Sequence, residues 1–276
     1  KAIKNPTELK GTRKAHYRDG IAVISFLAWL DCQMPGEFTE IDAVTKLENL
    51  RKNHPDFRDI SFDTIAGSGP NGALPHYRVT NKTNRKIQNN EILLVDSGAQ
   101  YFDGTTDITR SISIGKPSLE QKKFYTLVLK GMISISRLRF PRGLSGRDID
   151  ALARVPLWSI GHDYDHGTGH GVGVYLSVHE GPQRISKANN EILREGMIVS
   201  NEPGFYKEAS FGIRIENLLI VRRASDLNNG SKRQMLTFET LSFAPFDRKL
   251  IQKDILNSEE IKWIDDYHQN ILTKIK

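Results

Sequence analysis

Cysteine is nearly absent: Cys32 is the single one among 276 residues. No intrachain disulfide can form, so a disulfide-stapled miniprotein is excluded and a reducing, cytoplasmic setting is expected. Long apolar runs are missing too. Stretches such as Ile21–Leu30 fall well short of the roughly 20 residues that a bilayer-crossing helix needs, so neither a membrane span nor a cleavable leader is expected. Nor does one charge dominate, since 39 Lys+Arg against 33 Asp+Glu leave a net charge of +6. The basic residues come as scattered pairs, among them Arg51-Lys52, Arg85-Lys86 and Arg222-Arg223, with no run of five. That fits an ordinary solvated surface and not a nucleic-acid partner. There is no short-period tandem repeat and no low-complexity tract, and neither HExxH nor GxSxG occurs.

What is present is the make-up of a folded domain, with 38% hydrophobic and 26% charged residues, on a chain long enough for one large domain or two small ones. The chain opens on Lys1, and Asn5-Pro6-Thr7-Glu8 reads as a linker entering a helix, so a piece of a longer protein is expected. Periodicity predicts a helix over about Thr7–Leu30, carrying Leu9, Ile21, Ile24, Leu27 and Ala28. Another begins at Thr39, with Ile41, Val44, Leu47 and Leu50 as its stripe. Ser118 and Gln121 form a capping-box pattern for a helix through Leu138, and Ser145–Trp158 predicts a further one that Pro156 should end or kink. Glu91–Asp96 reads as a short buried strand and Tyr101–Ile114 as a Thr/Ile-rich one. Met197–Val221 alternates like paired strands with Pro203-Gly204 as the turn, and Met235–Phe243 follows the loop Asp226–Lys232. Ser258–Ile275 closes the chain as a helix. The reading is α+β, antiparallel-leaning, with a small C-terminal appendage.

Gly67-Ser68-Gly69-Pro70-Asn71-Gly72 matches GxGxxG in letters only, because the proline and the following Ala73-Leu74-Pro75-His76-Tyr77 do not open a helix as a dinucleotide site requires. His166 and His170 have the spacing of a helical metal pair, but Gly167, Gly169, Gly171 and Gly173 make them loop residues. The chemistry lies in carboxylates at strand ends. Asp96 ends an apolar strand and Asp107 lies eleven residues on, so a hairpin would bring them together. Glu202 and Glu216 sit on segments predicted to pair across a turn. Each acid alone is ordinarily a cap or turn residue. Together they would repel one another unless divalent cations separated them, and oxygen-dominated ligation with one imidazole, His170, suits Mn²⁺-like ions better than a thiolate-type zinc site.

Five separated motifs then carry a resemblance: GPNGALPHY (69–77), VDSGAQYFDGTTDITR (95–110), HGTGHGVGVYLSVHEGP (166–182), SNEPGFY (200–206) and FGIRIEN (211–217). In this order they resemble the catalytic domain of the pita-bread metallopeptidases, and within them the aminopeptidase P branch more than the prolidases or methionine aminopeptidases. The resemblance implies a pita-bread fold, with a curved, mainly antiparallel sheet flanked by helices. It also implies a catalytic domain over 1–225, a C-terminal extension over 226–276, and two upstream domains that this chain does not contain. It places Asp96, Asp107, His170, Glu202 and Glu216 on the five ligand positions for two divalent ions, Mn²⁺ before Co²⁺ or Zn²⁺, with Asp107 and Glu216 as the bridges. His76, His166 and His179 match histidines lining the substrate site, and Arg214 matches an arginine near the bridging carboxylates. Before His76, relatives more often carry two aliphatic residues than Leu74-Pro75, and Pro75 removes an amide donor.

The implied activity is hydrolysis of the bond between an N-terminal residue and a following proline, with water held by the metals as nucleophile. Glu202 would shuttle the proton, His76 and His179 would bind substrate and tetrahedral intermediate, and Arg214 would orient an acidic ligand. The partners expected are peptides with proline at the second position and a second copy in a homodimer. Two alternatives stand beside this reading: a prolidase cutting Xaa-Pro dipeptides, and a non-catalytic scaffold on the same fold.

Overall fold

Side-chain caps set where the helices begin. The structure is a computed structural model and describes residues 1–227 and 233–275. Helix α1 (Pro6–Asp31) starts at a reciprocal Asn5/Glu8 box with Pro6 in its first turn, and α2 (Glu40–Lys52) starts at a Thr39/Asp42 box. Strands β1 (Phe57–Ile60) and β2 (Ile65–Ser68) follow, then β3 (Glu91–Ser97), β4 (Ala99–Tyr101), β5 (Gly104–Thr105) and β6 (Ile108–Ile114). Ser118 and Gln121 cap α3 (Leu119–Ser136) as predicted. After β7 (Arg139–Pro141), α4 (Gly146–Trp158) begins where Ser145 donates from both N–H and Oγ to Asp148. The second half adds β8 (Gly169–His170), β9 (Arg184–Ile185), β10 (Ile198–Asn201), β11 (Gly204–Lys207), β12 (Phe211–Arg214), β13 (Asn217–Arg223), β14 (Met235–Thr240) and α5 (Ser258–Ile275).

All the strand pairs are antiparallel, so the α+β, antiparallel expectation holds. β2, β3 and β6 form one sheet, and β10, β13, β14 and β7 form a second in that order. Helix α3 lies in the main apolar core, where Tyr125, Leu129 and Ile133 meet Ile213, Phe246 and Tyr267. The C-terminal residues are woven into this body. β14 sits between β13 and β7, while Leu250, Leu256, Ile264 and Ile271 belong to the same core as α3.

Several local expectations are corrected. Of the predicted stripe of α1, Leu9 is buried and Ile24 and Leu27 pack partly buried against the core, but Ile21 and Ala28 face solvent, and Ala15, Ala22, Val23, Phe26 and Leu30 complete the buried face. Tyr101–Ile114 is not one strand: it breaks at Phe102-Asp103 and at Thr106-Asp107. Pro156 lies in the last turn of α4, and the helix ends two residues beyond it and not at the proline itself. Pro203-Gly204 is not the reversal. β10 runs on into β11, and the chain turns at Glu208-Ala209-Ser210, where Ala209 takes φ 53°. Gly69–Ala73 forms a single 3₁₀ turn after β2, where no helical turn was expected. Most of the loop read at Asp226–Lys232 lies outside the described residues.

Candidate metal centre

The long β10–β11/β12–β13 hairpin and the β3–β6 pair deliver the carboxylates. Asp96 lies in β3 opposite Thr109 of β6, and Asp107 immediately precedes β6. Glu202 and Glu216 occupy the two breaks of the hairpin, between the pairings Asn201↔Asn217 and Gly204↔Arg214. His170 is brought alongside by β8, which comes so close to β10 that a Cβ on Gly169 would lie 1.9 Å from Ser200 O. Only glycine fits that approach. All the sequence-predicted site residues, His76, Asp96, Asp107, His166, His170, His179, Glu202, Arg214 and Glu216, line one cleft of about 660 Å³.

Inside it, acceptors face acceptors. His170 Nδ1 lies 3.0 Å from Gly171 O. A carbonyl only accepts, so Nδ1 carries a proton, and in the neutral ring Nε2 is the nitrogen that offers a lone pair. That Nε2 stands 3.4 Å from both Asp107 Oδ2 and Glu202 Oε1. Asp107, His170 and Glu216 present ligand atoms all within 4.8 Å of one another. Asp96 Oδ1 and Glu216 Oε1 are buried with no hydrogen-bond partner. Among the described residues no Lys or Arg pairs with Asp107, Glu202 or Glu216. Burial, and then the charges of Asp96 and Glu202, push the Asp107 carboxyl well above the usual carboxylate range. Burial, and then Asp107 and Glu202, do the same to Glu216. Oxygen donors with one imidazole, gathered without a cationic partner among the described residues for three of the four acids, are a donor set that fits hard divalent cations.

The surroundings hold these groups in place. Arg214 donates to Asp96 Oδ2 at 2.7 Å and to Tyr206 OH at 2.7 Å, so its carboxylate partner is Asp96 and not Asp107 or Glu216. Burial works against its charge, but Tyr206, Asp96 and Glu202 raise its pKa on balance. Thr109 Oγ1 donates to Glu216 Oε2 at 2.7 Å and Ser200 Oγ to Glu202 Oε1 at 2.8 Å. His166 Nδ1 is 2.8 Å from Gly167 O, and its Nε2 accepts from Tyr206 OH at 2.9 Å. Burial pushes the Tyr206 hydroxyl up to about 12 and holds His166 below the ordinary histidine range. His179 lies against His170 with ring centres 4.2 Å apart, and its pKa is lowered by burial and then by His170. His76 is exposed on the cleft wall beyond Pro75. Sequence reasoning missed Thr109, Ser200 and Tyr206. All three lie inside the motifs, Thr109 in VDSGAQYFDGTTDITR and Ser200 and Tyr206 in SNEPGFY, which is the one signal available for them.

Comparisons with known proteins place the fold and the family. Residues 10–223 match the model of metallopeptidase family M24, and residues 234–276 match that of the C-terminal region of the same peptidases. Aminopeptidase P1 of Lotus japonicus is 46% identical over 292 positions, covering 97% of this chain and 44% of the plant protein. The X-prolyl aminopeptidase of Caenorhabditis elegans, described as a cytosolic enzyme with a di-nuclear active site, superposes with a TM-score of 0.95 at 40% identity, over 100% of this chain and 45% of that one. Prolidase from Pyrococcus furiosus superposes at 0.73 with 28% identity, over 87% of this chain and 65% of that one. The chain spans less than half the length of the curated relatives it matches.

Proposed function

The chain belongs to metallopeptidase family M24, and from that premise we propose that it is the catalytic part of an aminopeptidase that removes the residue preceding a proline at the second position of a peptide. Its α+β architecture is the pita-bread fold of that family. The observation that carries the reading is the convergence of Asp96, Asp107, His170, Glu202 and Glu216 on one cleft with their lone pairs facing each other. These five would hold two divalent ions, Mn²⁺ by the chemistry of the donors. When bound, such ions lower the pKa of water and polarise a carbonyl.

The chain's own residues do the rest. Glu202, oriented by Ser200, takes a proton from the attacking water and delivers it to the departing proline nitrogen. His179 and His76 donate hydrogen bonds to the peptide carbonyl and to the oxyanion that forms from it. Arg214 keeps the Asp96 carboxylate aimed. His166 is fixed by Tyr206 on the substrate side of the cleft. Residues 1–225 are the catalytic part in this reading and 226–276 its C-terminal extension. The setting is cytosolic, as for the nematode relative, and the assembly is a homodimer whose mass light scattering measures.

Chelator-stripped protein reloaded with Mn²⁺ should release the first residue from an Xaa-Pro-Xaa tripeptide and leave a proline-free tripeptide intact, read by mass spectrometry of products. Cleavage confined to the Xaa-Pro dipeptide would replace this reading with a prolidase.

A further inference from the structure

The ion pair of Lys4 and Glu180 lies outside the cleft, yet it ends one residue from His179. Lys4 is buried, with its ammonium 2.5 Å from Glu180 Oε1 and 2.8 Å from Lys1 O. The backbone around it is pinned as well. Ile3 bridges Met197, and the Lys4 N–H donates to Gly196 O at 2.9 Å, just before the strand that leads to Glu202. Glu180 is held from its own side: its N–H donates to Gly171 O at 2.8 Å. That bond closes the excursion 171–180 and sets the His179 ring against His170. The Glu180 carboxylate folds beneath the excursion, where a Cβ on Gly173 would come within 2.8 Å of its Oε2. At the far tip Tyr175 and Leu176 are exposed, and Leu176 adopts φ 58°.

We propose that Lys4 is a positioning residue: by pinning Glu180 from beneath the excursion it fixes His179 over the metal cleft, tying the segment that enters α1 to the substrate site. The inference rests on the proposed function for the role of His179. Its physics is electrostatic. Glu180 has no other ion-pair partner among the described residues, and the cleft beyond it carries Asp96, Asp107, Glu202 and Glu216. Without the ammonium the carboxylate has no charged partner to hold it beneath the excursion and turns toward water, and its backbone carries His179 with it. The ammonium is the more buried partner, so leaving it without its carboxylate is also unfavourable and the contact is held from both ends.

The test is a mutant cycle in the Mn²⁺-loaded enzyme. Lys4→Met and Glu180→Gln should each lower kcat on an Xaa-Pro-Xaa tripeptide by roughly ten- to a hundredfold, the range for displaced catalytic groups, with bound metal unchanged. Lys4→Arg should restore most of it, and adding Lys4→Met to His179→Ala should cost nothing beyond His179→Ala alone. Wild-type kcat in Lys4→Met, or its full loss repeated on top of His179→Ala, overturns the proposal. Chymotryptic nicking at Tyr175, which needs no activity, should be faster in Lys4→Met than in wild type, and equal rates also overturn it. A wild-type enzyme inert toward Xaa-Pro peptides sinks the proposed function instead, and the nicking rates then decide the positioning claim alone.

Discussion

Thr109 serves two members of the site at once, donating from Oγ1 to Glu216 and accepting from Arg214 Nε at 3.3 Å. Thr109→Val keeps the shape and deletes both bonds. It should weaken Mn²⁺ binding or turnover by roughly ten- to a hundredfold, as loss of groups that orient metal ligands does, and metal titration against wild type checks it. A second residue-scale prediction concerns His16, buried in α1 with Nδ1 donating to Thr12 O at 2.8 Å and Nε2 without a partner. Burial lowers its pKa, so the fold prefers the neutral ring. A folded value below the unfolded one means that the stabilisation is complete above the ordinary histidine value of about 6.5 and is lost as pH falls through it. Urea unfolding at about pH 7.5 and about pH 5.5, on either side of that value, should show a larger acid loss for wild type than for His16→Leu. Equal losses would contradict the assignment.

Between elements, α1 and α2 are joined by a buried pair in which Arg51 donates to both oxygens of Asp19, at 2.8 and 3.0 Å. Asp19→Ala strands a fully buried guanidinium, which costs about 3–5 kcal/mol, and chemical denaturation should register that loss. Ser118→Ala, which removes only the cap of α3, should cost about 1 kcal/mol. The contrast between these two kinds of contact explains what the sequence discloses about elements. Caps are local: Thr39/Asp42 and Ser118/Gln121 are read from residues three apart, and both are where the pattern puts them. Reversals without glycine or asparagine are not local. Nothing in Glu208-Ala209-Ser210 announces a turn, whereas Pro203-Gly204 does, so the hairpin was legible and its tip was not. The site divides in the same way. Carboxylates and a histidine at strand ends advertise metal chemistry by type. Thr109, Ser200 and Tyr206 are common hydroxyl residues, and strand register alone brings them to the cleft.

For the whole molecule, the division between the two family matches at 223 and 234 is a division of sequence that the packing crosses. β14 completes the sheet between β13 and β7, and Phe246 and Tyr267 stack 4.8 Å apart in the core shared with α3. A chain ending at Ser225 should therefore lose cooperative unfolding and its near-ultraviolet dichroism, and a native spectrum from it would contradict this account. The same packing supports the hairpin that carries Glu202 and Glu216, two of the five residues proposed to hold a pair of divalent ions. The most direct test of that claim is calorimetric titration of Mn²⁺ into the chelator-stripped chain and its Asp107→Ala variant. The account predicts saturable binding of a pair of ions by the former and loss of that binding in the latter with the fold intact. A folded wild-type chain that takes up no Mn²⁺, or an Asp107→Ala chain that binds as wild type does, would contradict it.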